Sequence, residues 1–152
     1  MSDSDLVKLY SGQILQLAGS IPHLGRLGEP QGSAKLRAPL CGSTITTDVV
    51  LTGDRVSGFA QEVRACALGQ ASAAILGQAV LGRSRQELAQ TRDTLAAMLA
   101  QDGPAPAAPF AGYEVLRAAR DYRNRHGSIL LALNAVLAAI DAAAAAKEMP
   151  AP

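Results

Sequence analysis

The side chains best suited to bind a metal or to react as nucleophiles are two cysteines and two histidines among 152 residues. Cys41 stands in the corner Leu40-Cys41-Gly42-Ser43, where the glycine lets the backbone turn sharply and approach a bound group closely. Cys66 stands at a predicted strand-to-helix junction, and the dipole and free N–H groups of a helix N-terminus favour a thiolate. Both are therefore candidate ligands. The alternative is that each is only a small buried hydrophobic residue.

The second candidate region is Arg125-His126-Gly127-Ser128, which opens the last predicted helix. The imidazole of His126 is a ready metal ligand when neutral, and Ser128 is a natural cap for the helix. Taken alone, the segment is better explained by a serine that only caps and a histidine that only faces water. His23 lies in a Gly/Pro loop and is expected at the surface. Four arginines lie nearby: Arg117, Arg120, Arg123 and Arg125. They are explained by a solvated helix face or, alternatively, by a docking patch for an acidic partner or a clamp for an anion.

The periodicity of apolar residues predicts three strands that position these candidates. Apolar and polar residues alternate over residues 33–38, and a second alternating run covers 44–51. A third strand is predicted over 55–64, and Gly53-Asp54 before it suits the tight turn of a hairpin. We therefore expect a three-stranded antiparallel sheet.

The remaining segments predict about five helices. The first has its apolar residues on one face: Leu6, Leu9, Tyr10, Ile14 and Leu17. Later helices are expected over 67–80, 84–101, 112–122 and from 127 onward. The predicted fold class is α+β, with the three-stranded antiparallel sheet packed against about five helices. We expect one domain over residues 1–141 and a disordered Ala-rich tail over 142–152.

Composition and charge limit the classes of partner and compartment. The formal net charge is +1, so no long-range field draws the protein to nucleic acid or to an anionic membrane. We find no uninterrupted run of about 18 apolar residues that would span a membrane. The acidic start of the chain is unlike a signal peptide, and two cysteines without such a signal indicate thiols in a reducing compartment. We expect a cytoplasmic protein that has neither nucleic acid nor membrane as a partner.

A series of short segments spread over roughly residues 8–140 matches one known family. They are Tyr10 with Ile14-Leu15, Gly25-Arg26-Leu27, Ala38-Pro39-Leu40-Cys41-Gly42, the hairpin 46–62, Arg64-Ala65-Cys66-Ala67-Leu68-Gly69-Gln70-Ala71-Ser72-Ala73, and Arg125-His126-Gly127-Ser128-Ile129-Leu130-Leu131. Together they resemble the NifU-type iron–sulfur cluster assembly scaffolds, the family of IscU and SufU. The resemblance implies the same α+β fold and a site near the two cysteines.

The family's site uses three cysteines and an aspartate, which bind a [2Fe–2S] cluster or, in some members, zinc. Cys41 and Cys66 match the first two cysteines, whereas Ser43 stands at the position of the aspartate. The third cysteine is replaced by Ser128 in a gapless alignment, or by Gly127 if neighbouring histidines are matched.

His126 fits a histidine that some members of the family carry near the third cysteine, so the resemblance makes it the substitute ligand. The implied cofactor-binding set is Cys41, Cys66, His126 and Ser128, and the implied metal ligands are Cys41, Cys66, His126 and Ser43. We expect the two thiols to lie at the same end of the sheet, with His126 and Ser128 brought there by the last helix.

Three functions remain open. The first is a non-enzymatic scaffold-like protein that binds iron, a [2Fe–2S] cluster or zinc weakly or across a homodimer, with a cysteine desulfurase and other iron–sulfur assembly proteins as partners. The second is a divergent adaptor that docks a cysteine desulfurase or assembly factor without carrying a cluster. The third is a zinc-assisted sulfur acceptor, in which Cys41 or Cys66 takes a persulfide. Motifs of zinc fingers, nucleotide-binding loops and common hydrolases are absent from the sequence.

Overall fold

The computed structural model describes residues 11–148. The elements in chain order are α1 (Gly12–Ala18), β1 (Gly32–Arg37), β2 (Thr44–Thr52), β3 (Arg55–Arg64), α2 (Ala67–Ala79), α3 (Arg85–Gln101), a 3₁₀-helix (Ala111–Ala119) and α4 (Arg123–Glu148). The predicted α+β class is confirmed, with three strands and five helices over the described residues. Of the apolar face predicted for the first helix, the part before residue 11 lies outside the described residues.

The sheet has the strand order β1-β2-β3, and both pairs are antiparallel. The β2–β3 turn places Gly53 at φ +64°, a conformation that costs glycine little. At the end of the hairpin opposite to the turn, Thr44 of β2 pairs with Arg64 of β3 on one side and with Arg37 of β1 on the other. The chain therefore enters β2 and leaves β3 at one end of the sheet, which we call the site end.

Helix α4 is the central element of the core. It packs against β1, β2, α2 and α3, and its fully buried residues include Ile129, Leu133 and Val136. An 18-residue window of this helix has a mean hydropathy of 2.1, which by length and composition alone is enough to cross a membrane. The window contains no uninterrupted run of 18 apolar residues, because Asn134 and Asp141 interrupt it. Because 56% of the window is buried inside the protein, its hydropathy is explained by the core.

Two helices differ from the prediction in their bounds. Helix α4 runs to Glu148, past the predicted boundary at residue 141. Beyond that boundary Ala143 still packs closely on Gly32 of β1: a Cβ on Gly32 would lie 2.8 Å from the Cβ of Ala143. The predicted disordered tail is thus helical over 142–148, and residues 149–152 lie outside the described residues. The segment predicted as a helix over 112–122 is a 3₁₀-helix, and the spacing of three between its buried residues, Tyr113, Leu116 and Ala119, matches three residues per turn.

Candidate functional site

Cys41 is held in a closed corner between β1 and β2. The N–H of Ala38 donates to the carbonyl oxygen of Ser43 at 2.8 Å, and the N–H of Gly42 donates to that of Ala38 at 2.9 Å. Gly42 has φ +68°, so the corner requires the left-handed conformation that glycine adopts most easily. The thiol of Cys41 is half-buried at the site end of the sheet.

Cys66 lies between the last residue of β3 and the first turn of α2. It is the N-cap residue, with extended backbone angles of φ −66° and ψ 170°, and its side chain makes no capping hydrogen bond. The thiol is therefore not engaged by its own helix. Like Cys41, it is half-buried.

Two buried serines join the thiols. Cys41 Sγ lies 3.6 Å from Ser43 Oγ, and Cys66 Sγ lies 3.6 Å from Ser128 Oγ. The hydroxyls of Ser43 and Ser128 are hydrogen-bonded to each other at 2.9 Å, and their residues are only 4% and 0% exposed. The predicted convergence of the two cysteines and Ser128 at one end of the sheet is thus confirmed.

Ser128 is in the interior of α4 and does not cap it. The helix begins at Arg123, so the predicted cap at Ser128 is wrong. A Cβ at Gly69 of α2 would collide with the Ser128 hydroxyl and would lie 2.8 Å from Ala65 Cβ. The absence of a side chain at Gly69 therefore lets α2 approach Ser128 closely.

The structure does not bring His126 into this cluster. Its Nε2 atom lies 2.9 Å from the carbonyl oxygen of Arg120 and 3.3 Å from that of Ala119, at the end of the 3₁₀-helix. Residues two apart on a helix point about 200° apart, so His126 and Ser128 face different neighbours. A Cβ at Gly127 would lie 3.7 Å from Ala38 Cβ, so this position faces the end of β1. Of the two positions that could replace the third cysteine, Ser128 is the one in contact with a thiol.

No protein-family model matches the chain. It is 38% identical in sequence to a nitrogen-fixing NifU-like protein (N-terminal part) of Brucella abortus, whose crystal structure superposes with a TM-score of 0.89. The match covers 93% of this chain and 98% of that one. This protein belongs to the NifU-type scaffold family. Another relative, 27% identical over 98% of this chain and 93% of its own length, is the iron-sulfur cluster assembly scaffold protein IscU of Streptococcus pyogenes serotype M1.

A further solved structure agrees with this fold. The putative iron-sulfur cluster assembly scaffold protein for the SUF system of Fervidobacterium islandicum AW-1 has a TM-score of 0.77 over 88% of this chain and 98% of its own. Its sequence is 18% identical, so the likeness shows the shared NifU-type fold alone.

The donor set of this NifU-type chain is incomplete for a cluster. Among the described residues, no group of three or more histidine, cysteine or acidic side chains is placed to hold a metal ion. The site offers two thiols and two hydroxyls, and a neutral hydroxyl is a poor ligand for iron beside sulfide. A cluster that needs four ligands, commonly thiolates, does not fit the donors of one chain.

The surroundings of Cys41 favour ionisation of its thiol. Burial opposes its ionisation and is the largest single influence. Hydrogen bonds from the hydroxyl and N–H of Ser43, a hydrogen bond from Ser128 and the charge of Arg125 together outweigh burial, so the pKa of Cys41 is lowered below its ordinary value. At a given pH, a larger fraction of Cys41 is therefore thiolate than of an ordinary cysteine.

The sequence analysis missed a buried carboxylate next to the sheet. The alternation along β2 puts Asp48 on the face opposite to Ile45 and Val49, yet its side chain is 0% exposed. It accepts hydrogen bonds from Arg26 Nε at 2.7 Å, from Ser33 Oγ at 2.6 Å and from the N–H of Leu27 at 3.0 Å. These bonds hold the loop between α1 and β1 over the outer face. The nearest signal in the sequence was Gly25-Arg26-Leu27, which the family resemblance included without assigning it a role.

Proposed function

We propose that this protein is an iron–sulfur cluster assembly scaffold whose cargo, iron or a [2Fe–2S] cluster, binds at Cys41 and Cys66. The observation that carries the proposal is the pair of half-buried thiols joined through Ser43 and Ser128 at one end of a NifU-type fold. Thiolates are the ligands that iron–sulfur clusters prefer. A scaffold of this kind holds and releases its cargo, so we assign no enzymatic activity.

The cargo is held weakly by one chain or is shared between two. One chain supplies two of the four ligands, whereas a two-fold homodimer supplies Cys41 and Cys66 twice. Leu40, directly before Cys41, is 77% exposed and would lie at such an interface. Zinc is the alternative metal, since two thiolates are half of a tetrahedral zinc site.

The partners and the compartment follow from the same proposal. A cysteine desulfurase would supply sulfur, and other iron–sulfur assembly proteins would supply iron or receive the cluster. These exchanges need reduced thiols, and both cysteines are free, which agrees with the cytoplasm. The formal net charge of +1 gives no reason to add nucleic acid to the partners.

Anaerobic reconstitution with ferric iron and sulfide tests the scaffold function. We expect a visible absorbance band of a [2Fe–2S] cluster, with iron and acid-labile sulfide in equal amounts. Cys41→Ser and Cys66→Ser should each abolish the band. The control Ser57→Ala, an exposed hydroxyl on β3 near the hairpin turn, should retain it. A cluster that forms equally well without either cysteine would refute the proposal.

One observation favours a second function, that of a persulfide acceptor. The lowered pKa of Cys41 raises the fraction present as thiolate, which is the nucleophilic form of the side chain. The thiolate would attack the terminal sulfur of a persulfide on a cysteine desulfurase, form a new S–S bond, and release the donor's cysteine thiolate. Incubation with a desulfurase and cysteine, followed by mass spectrometry, should then show one added sulfur atom on Cys41 in the absence of iron.

Another observation favours the adaptor. The Ser43–Ser128 hydrogen bond satisfies both hydroxyls without any cargo, so the site is complete as a packed surface. Two results together would support the adaptor over the scaffold. A desulfurase would bind this protein in a pull-down experiment, and purified and reconstituted samples would contain no iron, sulfide or zinc.

A further inference from the structure

The entrance to the site carries positive charge that no acidic side chain neutralises within residues 11–148. Arg37 is exposed, and its Nη2 atom lies 3.7 Å from the point where a Cβ of Gly42 would stand. Arg64 is exposed two residues before Cys66. Arg125 lies in the first turns of α4, which contact the Cys41 corner where Gly127 faces Ala38.

These three arginines, which we call the arginine rim, differ from the other arginines near the sheet. None of the three is within an ion-pair distance of a described carboxylate, whereas seven arginines elsewhere are paired: Arg26, Arg55, Arg83, Arg85, Arg92, Arg117 and Arg120. Glu62 is the nearest acid in sequence on β3, and its carboxylate lies 3.8 Å from Arg26. The arginine rim is therefore free to bind an anion from outside the chain.

Two helix N-termini add to the positive field. Helix α2 begins directly after Cys66, without a side-chain cap and without an acidic residue in its first turn. Helix α4 also has no acidic residue in its first turn. Because the N-terminal end of a helix attracts anions, α2 favours negative charge directly beside Cys66, and α4 adds a weaker attraction at its own start, near Arg125.

We propose that the arginine rim recruits a small thiol that bears a carboxylate, and that this thiol supplies the ligands missing at Ser43 and Ser128. The inference rests on the proposed scaffold function. The thiol gives its proton to solvent and binds iron as a thiolate, with no change of oxidation state, while its carboxylate pairs with the rim. A second copy of this chain offers the same thiolate chemistry, but it would bring two arginine rims face to face. The small anionic thiol neutralises the rim instead.

A test without metal isolates the rim from cluster assembly. In a Cys66→Ser background, the Cys41 thiolate attacks an aromatic disulfide, forms a mixed disulfide and releases an aromatic thiolate. The ratio of the rate with dianionic dithionitrobenzoate to that with neutral dithiodipyridine measures attraction to anions, because a change in the Cys41 pKa affects both rates equally. Arg37→Gln or Arg125→Gln should lower this ratio about two- to fivefold, the size expected for an exposed ion pair. Raising the salt concentration should lower it in the same way.

The matched control is Arg123→Gln. Arg123 is exposed at the start of α4 and lines a different cavity, beside Asp102 and Asp121. This variant should leave the ratio unchanged. A ratio that stays the same in the Arg37→Gln, Arg125→Gln double variant would overturn the anion-binding rim.

The second test uses three thiols of similar size and different charge during reconstitution. Mercaptopropionate, an anion, should raise cluster occupancy more than neutral mercaptoethanol, and cysteamine, a cation, least. The loaded protein should sediment as a monomer with about two small thiols per cluster, which completes four ligands. Equal occupancy with all three thiols, or a loaded dimer that holds no small thiol, would refute the small thiol as a ligand. Either result would leave the scaffold function standing. No cluster with any thiol refutes the scaffold proposal as well.

Discussion

Restoring the family's ligands in one chain is the most direct test of the site. In the double variant Ser43→Asp, Ser128→Cys, a third thiolate would stand next to Cys66, because Ser128 Oγ already lies 3.6 Å from Cys66 Sγ. Zinc sites with four protein ligands bind with about 10–16 kcal/mol, so each ligand contributes about 3 kcal/mol, or about a hundredfold in affinity. We expect zinc affinity to rise at least about a hundredfold for the double variant, as measured by competition with a chromophoric chelator.

The same variant should be less stable than the wild type when it is free of metal. It loses the hydrogen bond between two buried hydroxyls, worth about 1 kcal/mol, and it presses a larger sulfur atom against α2 at Gly69. The free energy of unfolding should therefore fall without metal and exceed that of the wild type with zinc. The control Ser57→Cys adds a thiol near the hairpin turn, away from the site, and should not raise zinc affinity. No gain in zinc affinity or cluster occupancy would show that the pocket has closed, as the adaptor function requires.

Three further predictions concern stability and the ligand set. Arg26, the strongest partner of Asp48, holds the pKa of that carboxyl below its usual range. The carboxylate therefore stabilises the fold above about pH 4, and this contribution is lost as pH falls through the lower, folded-state pKa. Asp48→Asn should flatten the acid side of the curve of unfolding free energy against pH. Gly69→Ala should cost about 1–3 kcal/mol in urea unfolding because its Cβ meets a buried hydroxyl, whereas Gly12→Ala, with nothing within 4 Å, should cost nothing. His126→Ala should leave zinc affinity unchanged, because its Nε2 contacts backbone carbonyls; a loss of affinity would return it to the ligand set.

The convergence of the thiols was predictable because it depends on local signals. The alternating strands and the glycine of the hairpin turn fix the register of β2 and β3, so the segments that carry Cys41 and Cys66 must meet at one end. The start of α4 was not predictable in the same way, since its first turn, Arg123-Asn124-Arg125-His126, contains no apolar residue. The error in the helix start led to the wrong role for Ser128 as a cap.

Burial that depends on distant segments was also beyond the sequence pattern. Asp48 has the spacing of a residue on the outer face of β2, and only the loop that carries Arg26 makes that face buried. Likewise, the Ala-rich end of α4 has no strong apolar stripe, and the close contact of Ala143 with Gly32 extends the packed part of the helix past residue 141. Neither contact is visible in the periodicity of the segment concerned.

The two serines and the arginine rim are linked through charge. A site with the family's third cysteine and aspartate would carry its own negative charge inside, whereas Ser43 and Ser128 form a neutral pair beneath a positive entrance. The missing charge would therefore have to arrive with an external thiolate. If this reasoning is correct, the double variant Ser43→Asp, Ser128→Cys should lose the preference for mercaptopropionate over mercaptoethanol in reconstitution, because its ligands and their charge are already in the chain. A double variant that binds cluster well and keeps the full preference for the anionic thiol would refute the link between the serines and the rim.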